Sequence, residues 1–341
     1  MEKDRGLLAR RAHPRTGVAG FNSLLGLTLL GLLMLMWLAL SLETPTFWTA
    51  NNISNLLRQS AFIAILAIGE TFVIITGGID LSVGAVEGFI SMIVAWLLTH
   101  NLGPASTIPG AVLVSLLLGV AIGLFHGFGV VELGLPPFIM TLATMYALRG
   151  IGLLVTDGAT ISITNDAFTH FSQATFLGFP WTSGNWFAIP SLVWMVGLVA
   201  APAYVMLNHT RLGRYLFAVG SNKEASRLSG VNVKAVTYVA YILSSLLAAF
   251  VGVLLATRLG IGNPTQGQGD ELQAIASSVI GGASLFGAVG SIHGPLIGAL
   301  ILQSISNGSN LLNINSFWQT IITGALIIIV VYFDSIRRRK S

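Results

Sequence analysis

The residues of this chain that could carry chemistry are acids, bases and amides lying inside long apolar stretches: Glu70, Asp80, Glu87, His126, Arg149, Gln303 and Asn307. An ionisable group in a membrane-spanning helix is costly, so its default role is in binding, ion transfer or gating. We therefore predict that five polar residues belong to a translocation pathway or its gate: Glu70, Thr71, Asp80, Ser82 and Asn307.

The same polar groups also allow a structural interpretation. Asp80 lies two residues after a glycine pair where a helix is expected to break, and its carboxylate can accept free N–H groups at the next helix start. Arg149 can form a buried ion pair or extend to the membrane interface. For Glu70, between Gly69 and Thr71 in an apolar helix, the functional and structural interpretations both stay open.

Motifs of catalysis are missing from the sequence. It has no H-E-x-x-H, no G-x-S-x-G and no cysteine, so neither a catalytic residue nor a metal site is expected. Gly267–Asp270 matches the G-x-G-D of intramembrane aspartyl proteases, but no second aspartate of the required type accompanies it. The phosphate loop G-x-x-x-x-G-K-[ST] is also absent, so we expect no bound cofactor and no ATP hydrolysis by this chain alone.

The composition identifies an integral membrane protein. Hydrophobic residues make up 54% of the 341 residues and charged residues only 9%, whereas soluble domains carry about 25% charged residues. The mean hydropathy is +0.80. A net charge of +4 is too small an excess to predict a nucleic-acid partner, and the lipid bilayer is the expected environment.

Stretches without Asp, Glu, Lys or Arg locate the predicted helices. The longest of these stretches is Leu272–Phe333. Gly88–Val131 is another long stretch, and a polar loop divides it in two. Because a span needs about 20 apolar residues, we predict an all-α, polytopic protein. Its ten predicted spans are 20–42, 53–76, 83–99, 107–131, 137–156, 186–207, 236–256, 271–288, 292–309 and 317–333, with a possible re-entrant segment within 271–309.

The basic residues predict the orientation. Fourteen of the 17 Lys and Arg fall in Met1–Arg15, Arg211–Lys234 and Arg337–Lys340, and such clusters face the cytoplasm. Six spans before the second cluster and four after it place all three clusters on one side. Both termini are therefore predicted to be cytoplasmic, with these acids on the opposite face: Glu43, Asp157, Asp166, Asp270 and Glu271.

These features divide the chain into five predicted regions. They are a basic N-terminus (1–19), a first transmembrane half (20–207), a cytoplasmic loop (208–235), a second transmembrane half (236–333) and a basic tail (334–341).

An internal duplication relates the two halves. Thr76–Leu81 (Thr-Gly-Gly-Ile-Asp-Leu) resembles Ile280–Leu285 (Ile-Gly-Gly-Ala-Ser-Leu). Repeats with glycine-interrupted helices are typical of transport pathways. Separately, the spacing Gly119-x-x-x-Gly123-x-x-x-Gly127 predicts a face for close helix packing rather than a pore lining.

The loop between the halves contains a short predicted helix. Asn222 can cap a helix over Lys223–Leu228, and Gly230 can end it in the left-handed conformation. From composition alone, this helix is either a docking element for a partner or a solvated basic turn that fixes topology.

Four ordered motifs give the chain a resemblance to a known family. Gly213–Gly230 resembles the coupling segment of permease subunits in ribose-type ABC importers for monosaccharides, and Thr76–Gly84 matches a second hallmark. Pro137–Gly150 and Ile280–Leu285 complete the set. The chain departs from the family pattern at Gln273, where Asp is usual, and at Ala288, where Gly is usual.

The resemblance implies a function and a set of partners. It implies a bacterial inner-membrane permease that pairs with a second copy or a paralogue, with a cytoplasmic ABC ATPase dimer that uses ATP and Mg, and with an extracytoplasmic sugar-binding protein. The coupling residues that it implies are Gly213, Arg214, Gly220, Asn222, Glu224, Ala225 and Gly230. Its cargo would be a monosaccharide or related polyol.

Two other transporter classes compete with this interpretation. A branched-chain amino-acid permease belongs to the same ABC superfamily, although the Gly-Gly-Ile-Asp-Leu-Ser run favours the sugar group. An ion-coupled secondary sugar transporter would need no ATPase and would use Glu70 or Asp80 as its ion site.

Overall fold

The computed structural model describes residues 16–181 and 186–340, and most of them are α-helical. The helices are α1 (Thr16–Glu43), α2 (Ala50–Ile75), α3 (Val83–Thr99), α4 (Ile108–Val131), α5 (Pro137–Thr156), α6 (Asp166–Gln173), α7 (Ser191–His209), α8 (Arg211–Ser221), α9 (Lys223–Leu228), α10 (Val233–Leu259), α11 (Asp270–Ile280), α12 (His293–Leu311) and α13 (Ser316–Lys340). A short 3-10 helix covers Gly103–Ser106.

In the described part of the chain, four short strands form two small antiparallel pairs. Strand β1 (Ile161–Ser162) pairs with β4 (Ile261–Gly262), and β2 (Thr175–Pro180) pairs with β3 (Trp186–Pro190) as a hairpin. The hairpin corrects the prediction of a helix over 186–207, because α7 begins only at Ser191. Pro190 favours extended backbone in the residue before it and suits the position just before a helix.

Polar side chains set the starts of many helices. Thr49, Thr107 and Asn165 accept hydrogen bonds from the backbone N–H three residues later, at the starts of α2, α4 and α6. Thr210, Asn222 and Asn232 do the same for α8, α9 and α10. Such caps satisfy one of the N–H groups that a first turn leaves free.

Helices α2 and α10 form the centre of the bundle. In the apolar 18-residue stretch of each helix, 89% of the residues are buried in α2 and 61% in α10. The share falls to 22% for α4 and to 28% for α5 and α7, so these helices turn wide apolar faces outward. Buried apolar residues of α2, α3 and α10 pack together in one cluster of the core.

The three glycines of α4 pack closely against α10, which confirms the packing interpretation. A Cβ added at Gly119 would lie 2.5 Å from the Ala249 Cβ, and one added at Gly123 would lie 2.5 Å from the Ile242 Cα. A Cβ at Gly127 would collide with the Tyr238 ring. Small residues at these positions let the two backbones approach each other.

Helix α11 is shorter than predicted. It was expected to continue to residue 288, but it ends at Ile280, and residues 281–292 form a loop. Before α11, residues 263–269 are non-helical and run along α3 from Ser91 down to Gly84. Asp270 and Glu271 therefore form the first turn of α11 beside α3, while the side of the membrane that they face stays a prediction.

The two glycine turns of the duplication share one backbone design. After α2, Gly77 has φ +79° and the Gly78 N–H bonds to the Val73 carbonyl. After α11, Gly282 has φ +95° and the Ala283 N–H bonds to the Ser278 carbonyl. Both are Schellman-type helix ends. The backbone thus aligns Gly77 with Gly282, one residue away from the alignment read from the sequence, because glycine takes positive φ most readily.

Within residues 16–181 and 186–340, six helices are long and apolar enough to cross a membrane: α1, α2, α4, α5, α7 and α10. This result supports a helical membrane protein, while the count of ten spans and the cytoplasmic position of both termini stay predictions. The basic segment Met1–Arg15 and Ser341 lie outside the described residues.

Single cysteines test the orientation in this cysteine-free chain. Ala159 is exposed between α5 and β1, and Ser221 is exposed at the end of α8. We expect a membrane-impermeant maleimide added to intact cells to label Ala159→Cys but to label Ser221→Cys only after permeabilisation. The parent chain is the control. Labelling of both variants from outside would contradict the orientation.

Candidate functional site

The glycine turn after α2 folds back along its own helix. The Asp80 N–H donates a 3.0 Å hydrogen bond to Glu70 Oε1, although Glu70 lies ten residues earlier in α2. The Leu81 N–H donates to Thr141 Oγ1 on α5 at 3.1 Å. Side chains therefore satisfy backbone groups that the helix break leaves unpaired.

The Asp80 carboxylate is fully buried and well satisfied. Its Oδ1 accepts hydrogen bonds from the Ser82 N–H at 2.9 Å and from Ser82 Oγ at 2.6 Å. Its Oδ2 accepts one from Ser244 Oγ on α10 at 2.9 Å and lies 3.9 Å from His126 Nδ1 on α4. This geometry matches the predicted role of Asp80 at the start of α3.

Only one oxygen of the Glu70 carboxylate, Oε1, accepts a hydrogen bond from a described residue. Among the described residues, none donates a hydrogen bond to its Oε2, and the Tyr241 hydroxyl and His126 Nε2 nearby also have no hydrogen-bond partner. Glu70, Asp80, His126, Tyr241 and Ser244 form what we call the α2–α10 polar cluster. Buried polar atoms without partners are unfavourable, so this cluster is a point where a rearrangement can gain hydrogen bonds.

The structure brings together only part of the predicted pathway set. Glu70 and Asp80 belong to the α2–α10 polar cluster, and Ser82 bonds to Asp80 at its edge. Thr71 lies one residue from Glu70 but bonds to Ser278 on α11 at 3.1 Å. Asn307 lies apart from them. It exchanges two hydrogen bonds with Asn52 at the opposite end of α2, at 2.7 and 3.2 Å.

A second polar cluster lies between α3 and α11. We define the α3–α11 polar cluster as Glu87, Arg149, Gln266, Asp270 and Glu271. Arg149 Nη1 donates to the Pro264 carbonyl at 2.6 Å and to the Gln266 carbonyl at 2.5 Å. Arg149 thus holds the non-helical segment before α11. The sequence showed the charges of Glu87 and Arg149 but not that Gln266 and Glu271 would join them.

The loop between α7 and α10 contains one helix more than predicted. Helix α8 packs its buried residues Leu216 and Val219 against an apolar cluster that includes Phe72, Val73 and Ile75 of α2. The sequence signal for α8 is the spacing of its apolar residues, three positions apart, after the Thr210 cap. This packing anchors the loop on α2, with Gly213 buried and Arg214 exposed.

Helix α9 projects from this anchor as predicted. Asn222 Oδ1 accepts the Ala225 N–H at 2.9 Å, and Gly230 has φ +83°. Glu224 and Arg227 are exposed and paired at 2.6 Å. The hydrogen bond from Arg227 lowers the pKa of Glu224, so its carboxylate stays ionised at neutral pH. Leu228 is 76% exposed, which gives α9 an apolar contact surface.

Gly220, at the end of α8, contacts both the end of α2 and the loop that follows α11. A Cβ at Gly220 would collide with the Ile75 carbonyl oxygen of α2 and would lie 2.7 Å from the Ala288 nitrogen. The Ala288 N–H itself donates to the Ile75 carbonyl at 2.9 Å. Three segments thus meet backbone to backbone, and we call this contact the Gly220 junction. The end of α8 is therefore in direct contact with the end of α2 and with the loop after α11.

Metal binding finds no support in the described parts of the chain. No group of three or more His, Cys, Asp or Glu side chains there could hold a metal ion. The arrangement is instead that of a helical bundle with two interrupted helices, two buried polar clusters and one exposed helix coupled to the interruptions.

Comparison with known proteins identifies relatives along most of the chain. The family described as "Branched-chain amino acid transport system / permease component" matches residues 52–331. The ribose import permease protein RbsC of Escherichia coli (strain K12) is 40% identical over 309 residues, which cover 90% of this chain and 92% of RbsC. RbsC of Bacillus subtilis (strain 168) is also 40% identical, with 92% of each chain covered.

A further relative matches along its full length. The xylose transport system permease protein XylH of Escherichia coli (strain K12) is 32% identical, with 100% of each chain covered. No solved structure matches this chain.

Substitution of Gly220 tests the junction. We expect Gly220→Ala to lower stability by about 1–3 kcal/mol, because its Cβ meets backbone atoms that cannot change rotamer. The matched control is Gly197→Ala in α7, where no atom lies within 4 Å of the added Cβ. The control should leave the thermal unfolding midpoint in detergent unchanged or slightly higher. Equal midpoints for the two variants would contradict the junction.

Proposed function

This chain belongs to the family of branched-chain amino acid transport system permease components, and we propose that it is the membrane subunit of an ABC importer that carries a monosaccharide or related polyol into the cytoplasm. The relatives confirm the resemblance found in the sequence motifs. The observation that carries the mechanism is the Gly220 junction, which links an exposed helix to both interrupted helices.

The substrate class follows from the relatives rather than from the family description. RbsC and XylH are named for ribose and xylose, and they share 32–40% identity with this chain. A branched-chain amino acid is the second candidate, because the description of the family names it. Monosaccharides are uncharged and rich in hydroxyl groups, which suits buried side chains that lack hydrogen-bond partners.

Energy for transport would come from a separate subunit. An ABC ATPase dimer, with its ATP and Mg, would bind the exposed surface of α9, and an extracytoplasmic binding protein would deliver the sugar. A second permease copy or a paralogue would complete the membrane part. The fixed anchor of α8 on α2 supports this role, since a rigid connection transmits motion that a flexible loop would absorb.

In this mechanism the α2–α10 polar cluster holds the turn that must move. Glu70 and Asp80 satisfy the turn in the present conformation. Glu70 Oε2, which has no donor among the described residues, provides an acceptor for an alternative arrangement. We therefore assign Glu70, Asp80 and Ser82 to the gate, and Thr71 to the contact of α2 with α11.

Reconstitution separates the three candidate transporters. Proteoliposomes with the permease, its ATPase and its binding protein should accumulate labelled ribose or xylose only when ATP is present, and should not accumulate labelled leucine. Accumulation of leucine alone would favour an amino-acid permease. Sugar uptake by the permease alone, driven by a proton or sodium gradient, would favour a secondary transporter and overturn the proposal.

Charge reversal on α9 tests the coupling surface. We expect Glu224→Arg to abolish sugar-stimulated ATP hydrolysis or ATPase binding while the permease stays folded, because an exposed ion pair adds only about 0–1 kcal/mol to stability. The matched control is Glu132→Arg, which breaks the exposed pair with Lys234 outside α9. Stimulated hydrolysis equal to wild type in both variants would remove α9 from the coupling role.

Neutralising Glu70 tests the gate. Glu70→Gln keeps an acceptor for the Asp80 N–H and removes the charge, so we expect normal membrane insertion with reduced uptake. Glu70→Ala also leaves that N–H without a partner, which costs about 1–3 kcal/mol. Wild-type uptake by both variants would limit Glu70 to a dispensable contact.

A further inference from the structure

The α3–α11 polar cluster contains buried acceptors that nothing in the described chain satisfies. Glu87 is 0% exposed, and among residues 16–181 and 186–340 none donates a hydrogen bond to either of its carboxylate oxygens. The side-chain oxygen of Gln266 is likewise buried without a donor. Glu87 and Gln266 therefore offer three buried acceptor atoms that have no donor within the described part of the chain.

Glu87 points toward the non-helical segment that precedes α11. A Cβ added at Gly267 would lie 2.8 Å from Glu87 Oε2. On the same face of α3, a Cβ added at Gly88 would lie 2.8 Å from Arg149 Nη1. The first turns of α3 and α11 thus face each other, with Glu87 from one side and the segment 263–269 from the other.

The segment 263–269 is positioned to cover and uncover Glu87. Its Thr265 and Gln268 are exposed, so its outer side forms part of the surface of the chain. Its backbone is non-helical, and Arg149 holds it through two carbonyl groups. Interrupted helices with free backbone near the middle of a membrane are the usual place for transport sites.

We infer that Glu87 and Gln266 form a sugar-hydroxyl site within the permease, which opens when the segment 263–269 moves away from α3. The inference rests on the proposed sugar import. Hydroxyl groups are the donors that three free oxygen acceptors require. A metal ion fits less well, because the described residues hold no metal-binding group of three or more acidic, His or Cys side chains.

Arg149 acts as a positioning residue for this site. It fixes the backbone carbonyls of Pro264 and Gln266. Gln266 directly precedes Gly267, where an added Cβ would lie 2.8 Å from Glu87 Oε2. Its guanidinium also offsets part of the negative charge of Glu87, Asp270 and Glu271, so a neutral polyhydroxyl ligand is favoured over a cation.

A thiol at the rim of the site gives a direct measurement of binding. Gln268→Cys in the complete transporter, reconstituted in proteoliposomes, provides the only thiol of the permease. Modification by a maleimide should slow as ribose or xylose is added. Adding Glu87→Gln replaces an acceptor by a donor, and half-protection should then need about tenfold more sugar. Adding Gln266→Ala, which keeps the carbonyl for Arg149, should weaken protection about fivefold.

Controls separate this inference from the proposed function. Glu132→Gln, an exposed residue far along the chain from the cluster, should leave protection unchanged. Binding-protein-stimulated ATP hydrolysis reports whether each variant is folded and assembled. Equal protection in the Glu87 and Gln266 variants and in the parent would overturn the site, while sugar uptake by the parent would still support the importer. If the parent took up neither sugar, the proposed function and the inference would both fail.

Discussion

A helix that stops inside a bilayer must find internal partners for the backbone groups of its last and first turns, because lipid offers none. This constraint organises the whole structure. The Ile75 carbonyl at the end of α2 accepts the Ala288 N–H from the loop after α11, so each break helps to satisfy the other. Side chains meet the remaining groups, as Glu70 does for Asp80 and as Asp334 does for the Leu285 N–H. The two halves of the chain are thus hydrogen-bonded to each other in the regions where their helices are interrupted.

The two polar clusters differ in how far their buried carboxylates have hydrogen-bond partners. In the α2–α10 cluster, the Asp80 carboxylate is saturated by Ser82 and Ser244, so its main work is to hold a turn. In the α3–α11 cluster, both oxygens of Glu87 lack donors among the described residues. Among the described residues, the first cluster holds its turn through Asp80 but leaves Glu70 Oε2, the Tyr241 hydroxyl and His126 Nε2 without partners, whereas the second is an unfilled set of acceptors. Polar residues of similar type and similar burial therefore serve different ends, which only their hydrogen bonds reveal.

Local signals in the sequence predicted local structure well. The Asn222 cap, the end of α9 near Gly230 and the glycine face of α4 all follow from residues a few positions apart, and the structure has each of them. Features that depend on distant contacts were not predictable in this way. The β2–β3 hairpin replaces part of an expected helix, α11 ends early at a glycine turn, and Asn307 pairs with Asn52 far from Glu70. The periodicity of the sequence does not show which distant elements a residue will contact.

The glycine face of α4 has a mechanical consequence. Where Gly119, Gly123 and Gly127 meet α10, no side chain of α4 stands between the two backbones, and sliding one helix along the other would drive main-chain atoms together. The two helices therefore behave as one rigid unit. Strain generated at one end of the bundle cannot be absorbed between them and must be released where the chain is not helical, at the two glycine turns and along residues 263–269. Stiffness in α4 and α10 decides where the protein bends.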